Sequence, residues 1–200
     1  MLKTRISVLV SGGGTNLQAL LDAQGRGEIP SGEIVLVVSN NDDAYALTRA
    51  KNAGVETAVV SRKAYGEQFE KVLLETLQKA EIDLIILAGF MCILSKEFTM
   101  SFSDRIINVH PSLIPSFCGK GFYGLRVHEA ALEYGVKVTG ATVHFVNEVP
   151  DGGAIILQRA VEIQEGDTPE ILQKRVMEQA EWKILPKAAE MVSKKILLGE

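Results

Sequence analysis

The chain is poor in cysteine, with two in 200 residues, Cys92 and Cys118, and no CxxC pair. That excludes a disulfide framework and, with no signal peptide at the start, fits a reducing cytoplasm. Long hydrophobic runs are missing as well. The longest, around "LIILAGF" and "MCIL", falls short of the ~20 apolar residues that a membrane helix needs, so no membrane partner is expected. Basic charge is in deficit: 21 Lys and Arg against 25 Asp and Glu give a net charge of -4 and a pI near 5.5. A nucleic-acid platform normally presents a basic face, so the expected partner is a small molecule and not a nucleic acid. Several chemical signatures are also absent. No GxSxG elbow offers a serine nucleophile, no Gly-Lys-Ser/Thr follows a glycine run, and no His/Cys/carboxylate spacing suggests a metal.

What is present fits one domain over residues 1–200. A hydrophobic content of 46% with 23% charged residues supports a sizeable core, and the length stays below the range where chains split. Strand-like runs alternate with helix-period segments: "RISVLV", then 15–24; "EIVLVVSN", then 43–53; "ETAVV", then 65–80; "DLIILAG", then 95–102; "RIINVH" last. This alternation predicts an α/β fold, a mostly parallel sheet with helices on both faces. After a glycine-rich loop at 117–124 and a helix near 127–134, "VTGATVHFV" and "AIILQRAVEI" read as two strands of an antiparallel hairpin. The tail opens on "DTPE", a helix start with Pro169 in its first turn. Pro186 predicts a kink or break in the long helix that follows.

The glycines of "LVSGGGTNLQALL" stand between the first strand and the first helix, where free backbone amides bind anionic oxygens. The dinucleotide fingerprint is missed: counting from Gly12 and Gly14, its third position is Leu17, and the second strand ends in Ser39, Asn40 and Asn41 without an acid. A phosphate monoester fits better, with a bare tight turn as the alternative.

In "IINVHPSLIP" an amide and an imidazole, Asn108 and His110, sit two apart on one face of an inner strand, before Pro111 ends the pairing. Open α/β sheets gather their sites at such carboxyl ends. An amide donor and a protonatable imidazole can stabilise an oxyanion, and a nearby carboxylate could raise the imidazole pKa and help remove a proton. Read singly, His144 is a core or edge histidine, Asp151 in "PDGG" is turn chemistry, and His128 is a surface residue.

Taken in order, "VSGGGTNLQAL", "LAGFMCIL", "INVHPSLIP", "VTGATVHFV" and "DGGAIILQ" resemble the glycinamide ribonucleotide formyltransferases of purine biosynthesis. The resemblance implies a Rossmann-like formyltransferase fold with a seven-stranded sheet. It also implies formyl transfer from the co-substrate 10-formyltetrahydrofolate to the amine of 5'-phosphoribosylglycinamide, without a metal. It assigns catalysis to Asn108, His110 and Asp151, with His144 and Ser112 supporting. Gly14, Thr15 and Asn16 fall to the substrate phosphate, and Glu181 to the nucleotide. Arg62 and the segment Met91, Cys92, Ile93 and Leu94 fall to the folate, the latter through its backbone. A monomer or homodimer is expected.

Three positions depart from the family pattern. Cys92 stands where many members carry a basic residue, "CGKGFYG" is longer than the common loop, and Asp151-Gly152-Gly153-Ala154 replaces Asp-Thr-Gly-Pro. Methionyl-tRNA formyltransferases share the Asn-x-His-Pro-Ser motif but need a further basic domain after it. Formyltetrahydrofolate deformylases carry an additional domain in front. A nucleotide-binding module without catalysis is the third alternative.

Overall fold

The first strand, β1 (Thr4–Val10), sends its side chains alternately into two cores. Ile6, Val8 and Val10 enter one, Leu9 the other. β4 (Leu84–Leu87) does the same, with Leu84 and Ile86 on one face and Ile85 and Leu87 on the opposite one. A strand apolar on both sides must be covered on both sides, and the helices do this. In the computed structural model, which describes residues 2–200, α1 (Thr15–Gly25) and α2 (Tyr45–Asn52) cover the first face. α4 (Phe69–Lys79) and α5 (Lys96–Ser101) cover the second.

The described residues form a seven-stranded sheet in the order β3-β2-β1-β4-β5-β6-β7. β2 (Gly32–Ser39), β3 (Glu56–Val59) and β5 (Ile106–His110) join β1 and β4 in parallel pairing. β6 (Val138–Phe145) and β7 (Ile155–Glu162) form the expected antiparallel hairpin, and β6 is also antiparallel to β5. Because five strands run the same way, their carboxyl ends share one edge. β1 has neighbours on both sides and is followed by crossovers in opposite directions, which opens a crevice at that edge.

Three local expectations need correction. The helix read over 65–80 is divided into α3 (Arg62–Tyr65), a tight turn at Gly66–Gln68 and α4. Gly66 has a φ of 52°, outside helical space, which separates the pieces. His128 is not on the surface: it lies on α6 (Leu125–Tyr134), fully buried with Val127 and Ala131. The C-terminal helix breaks before Pro186. α7 (Pro169–Val176) starts as expected, its Thr168 side chain accepting the Ile171 amide at 3.3 Å. It then widens into a π-helical stretch at Met177–Glu181 before α8 (Trp182–Leu198). Pro186 sits inside α8, where it forgoes the amide that would have donated to the Trp182 carbonyl. No helix among the described residues is long and apolar enough to cross a membrane.

Candidate active site

The hairpin brings the catalytic candidates together. Antiparallel pairing sets Asn108 opposite His144 and His110 opposite Thr142. The chain then turns between β6 and β7, with Asp151 in the left-handed region at φ 56°, a conformation that Asp tolerates better than most residues. Gly153 makes this return possible, since a Cβ there would lie 1.8 Å from the Phe145 carbonyl oxygen.

Asp151 ends up between two imidazoles. Its Oδ2 lies 3.6 Å from His110 Nδ1, and its Oδ1 lies 3.5 Å from His144 Nε2. The far side of each ring meets a carbonyl, which can only accept. His110 Nε2–H therefore donates to Phe117 O at 2.8 Å, and His144 Nδ1–H donates to Phe145 O at 2.7 Å. In neutral His144 this leaves Nε2 to accept from Asn108 Nδ2 at 3.2 Å. Asn108 retains a second amide hydrogen, and the Gly119 amide donates to Asp151 Oδ2 at 2.8 Å.

Burial dominates the electrostatics of His110. It holds the imidazole below its ordinary value, although the Asp151 charge and the Phe117 carbonyl both act in the opposite direction. The expected upward pull of the carboxylate is present but outweighed. For Asp151, burial acts to raise the pKa. The contact with His144, the His110 charge and the Gly119 amide together overcome it, so the carboxyl stays below its usual range. Ser112 is fully buried and donates to Ser116 O at 2.6 Å, shaping the turn beyond β5.

At the end of β1, Gly14 precedes α1 with a φ of 72° and no side-chain cap. The first amides of α1 are thus left for a ligand or solvent. Asn16 faces the π-helical stretch, its Nδ2 donating to Glu181 Oε2 at 2.6 Å. Its Oδ1 is buried without a partner among the described residues. Burial pushes the Glu181 carboxyl up to about 7, against the Asn16 hydrogen bond. Thr15 makes only a long contact, 3.7 Å, to Met177 Sδ.

The segment 91–94 lies beside this turn, because the Met91 amide donates to Ser11 Oγ at 2.8 Å. That amide is thereby engaged within the protein. Cys92 Sγ accepts from Asn40 Nδ2 at 3.0 Å, Ile93 is exposed, and Leu94 is buried. Arg62 stacks 5.2 Å from the Phe69 ring centre and reaches Ile93 O at 3.5 Å, so it is placed with the same segment.

Two contributors had no sequence signal. Phe117 and Gly119 act through main-chain atoms, which no residue type announces. Only the unusual length of their loop could have drawn attention to it. Among the described residues, no group of His, Cys, Asp and Glu is arranged to hold a metal ion.

Comparison with known proteins gives the chain a family. Residues 4–189 match the family described as formyl transferase. A phosphoribosylglycinamide formyltransferase from Haemophilus influenzae is 45% identical over 184 residues, covering 91% of this chain and 84% of that protein. The trifunctional purine biosynthetic protein adenosine-3 of Homo sapiens is 45% identical over 99% of this chain, which spans only 19% of that protein's length. The crystal structure of glycinamide ribonucleotide transformylase 1 from Symbiobacterium toebii superposes with a TM-score of 0.89 at 44% identity, covering 96% of this chain and 88% of that one. The chain belongs to the formyl transferase family, with the phosphoribosylglycinamide formyltransferases as its relatives along nearly its whole length.

Proposed function

We propose that this chain transfers the formyl group of 10-formyltetrahydrofolate to the amine of 5'-phosphoribosylglycinamide, a step of purine biosynthesis, in the cytoplasm. The observation that carries the reading is the placement of one ionised carboxylate, Asp151, between His110 and His144, with Asn108 beside them. The amine lone pair attacks the formyl carbon and the carbonyl π pair moves onto oxygen. The free Asn108 hydrogen and the His110 imidazole beside it stabilise that oxyanion. Asp151 takes a proton from the attacking nitrogen, through water, and the bond to N10 of the folate then breaks as N10 gains a proton. No covalent enzyme intermediate is needed, so most of the rate comes from holding two ligands together.

The nucleotide's phosphate is assigned to Gly14, Thr15 and Asn16 and its ribose side to Glu181. The folate is assigned to Arg62 and the 91–94 segment. Residues at the ends of β1, β4 and β5 would then meet over one crevice.

The test uses 10-formyltetrahydrofolate labelled in the formyl carbon. Label appearing in formylated 5'-phosphoribosylglycinamide is the expected result. Label released as formate would make the protein a hydrolase, label on methionyl-tRNA would make it a tRNA formyltransferase, and no turnover at all would favour a binding module.

A further inference from the structure

A turn that offers its amides to a phosphate must dispose of its carbonyls elsewhere, since carbonyl oxygens pointing at the ligand would repel it. Here both central carbonyls are taken by α2. The Ala46 amide donates to Gly12 O at 3.0 Å, and Arg49 Nε–H donates to Gly13 O at 2.8 Å. The contact is tight, as a Cβ on Gly14 would stand 2.6 Å from Ala46 Cβ. Arg49 also ties α2 to α1, its Nη1 donating to Gln18 Oε1 at 3.0 Å, and its guanidinium lies 5.0 Å from the Tyr45 ring centre.

What Arg49 lacks is an acid. Among the described residues it forms no salt bridge; its partners are a carbonyl, an amide and an aromatic face. No carboxylate pairs with its guanidinium directly, Asp22 being joined to it only through Gln18, and it rests against the outer side of the turn whose inner side faces the proposed phosphate. A purely structural clamp would work as well with its charge balanced.

We propose that Arg49 is a positioning and specificity residue for the substrate phosphate, turning the amides of the Gly12–Gly14 turn toward it and lending positive charge from behind. This rests on the assignment of that turn to the ribonucleotide's phosphate. Arg49 touches the turn and not the reacting atoms, so its loss acts on substrate capture and not on the chemical step.

The experiment compares Arg49→Met and Arg49→Lys with the parent, each assayed with 5'-phosphoribosylglycinamide and with the riboside lacking the phosphate. For Arg49→Met, KM for the ribonucleotide is expected to rise about tenfold or more, far more than kcat falls, with KM for the folate unchanged. With the riboside, parent and variant should have the same kcat/KM. Arg49→Lys keeps the charge without the planar Nε donor and should fall between the two, which holds the test open if Arg49→Met folds poorly. A variant that loses as much kcat/KM on the riboside as on the ribonucleotide overturns the proposal, because it would show a general effect on the fold. So do variants that discriminate ribonucleotide from riboside as well as the parent. A parent that itself fails to discriminate removes the phosphate assignment and the Arg49 role with it.

Discussion

Two glycine-rich loops border the crevice and use their backbones in opposite ways. The turn from Ser11 to Gly14 directs its carbonyls inward to α2 and leaves the first amides of α1 without a side-chain cap. The loop from Phe117 to Gly124 turns its own groups onto the proposed catalytic side chains, giving Phe117 O to His110 and the Gly119 amide to Asp151. On the proposed reading the first holds a ligand, and the second holds an acid and a base. Lesions around the second should therefore appear in kcat, and lesions in the first in KM.

The largest effect is expected at Asp151. Asp151→Asn removes the charge between the two imidazoles while keeping an oxygen that can accept from Gly119, and kcat should fall by roughly 10² to 10⁴. The same change removes an influence that raises the His110 pKa, so the imidazole should titrate at still lower pH. Proton NMR of the ring can follow this, and an unmoved titration would sink the coupling. Asn108→Ala should lower kcat by roughly 10² to 10³, the usual loss of an oxyanion donor. Near-normal turnover in a folded variant would remove that role.

Glu181 should set a pH dependence of stability beside the Gly14 turn. Its carboxyl titrates at about 7 in the fold against an ordinary 4.5, so the native state binds more protons than the unfolded chain between those values. Stability should decline as pH rises through that window, by about 3 kcal/mol at 1.36 kcal/mol per unit. Glu181→Gln, which keeps an oxygen for Asn16 but cannot ionise, should escape the decline. Urea midpoints of both proteins at pH 5 and pH 8 check it, and an equal difference at the two values would contradict it.

Gly14→Val should raise KM for the ribonucleotide about tenfold while sparing that for folate, since a β-branched residue fits neither the φ of 72° nor the space before Ala46. Equal damage to both constants would blur the division between the loops. Cys92→Ala should change folate affinity least. Calorimetric titration with a folate analogue should find the two proteins alike, and a tenfold loss, about 1.4 kcal/mol, would give the thiol a role.

Much of this architecture was legible in the sequence, because the β/α alternation and the paired faces of Ile6 to Val10 and Leu84 to Leu87 follow from strand periodicity alone. Asn108 and His110 could be read from their spacing at a strand end. The position of Asp151 could not, as a lone Asp-Gly is ordinary turn chemistry, and only family resemblance assigned it. His128 was misread because a single polar residue near a helix start suggests solvent. In the fold, burial holds it neutral, with its pKa pushed down to about 4, and neither ring nitrogen has a partner among the described residues. Pro186 drew attention to the wrong place for the helix break, since a π-helical turn is written by no particular residue.

That turn is where the helix can change length. In a regular helix each residue advances the winding by about 100°, so deleting one residue from α7 or α8 would rotate one side against the other, whereas the wide turn at Met177–Glu181 already holds one residue more per turn and can give it up. Leu172 and Val176 on one side, and Leu185 and Ala188 on the other, are all fully buried. After a deletion in either helix one set would have to leave the core, and Glu181 would swing away from Asn16. Loss of one residue should therefore be tolerated better within the stretch than on either side of it, a pattern that a scan of one-residue deletions from Gln173 to Leu185 would reveal as a local maximum in folded yield.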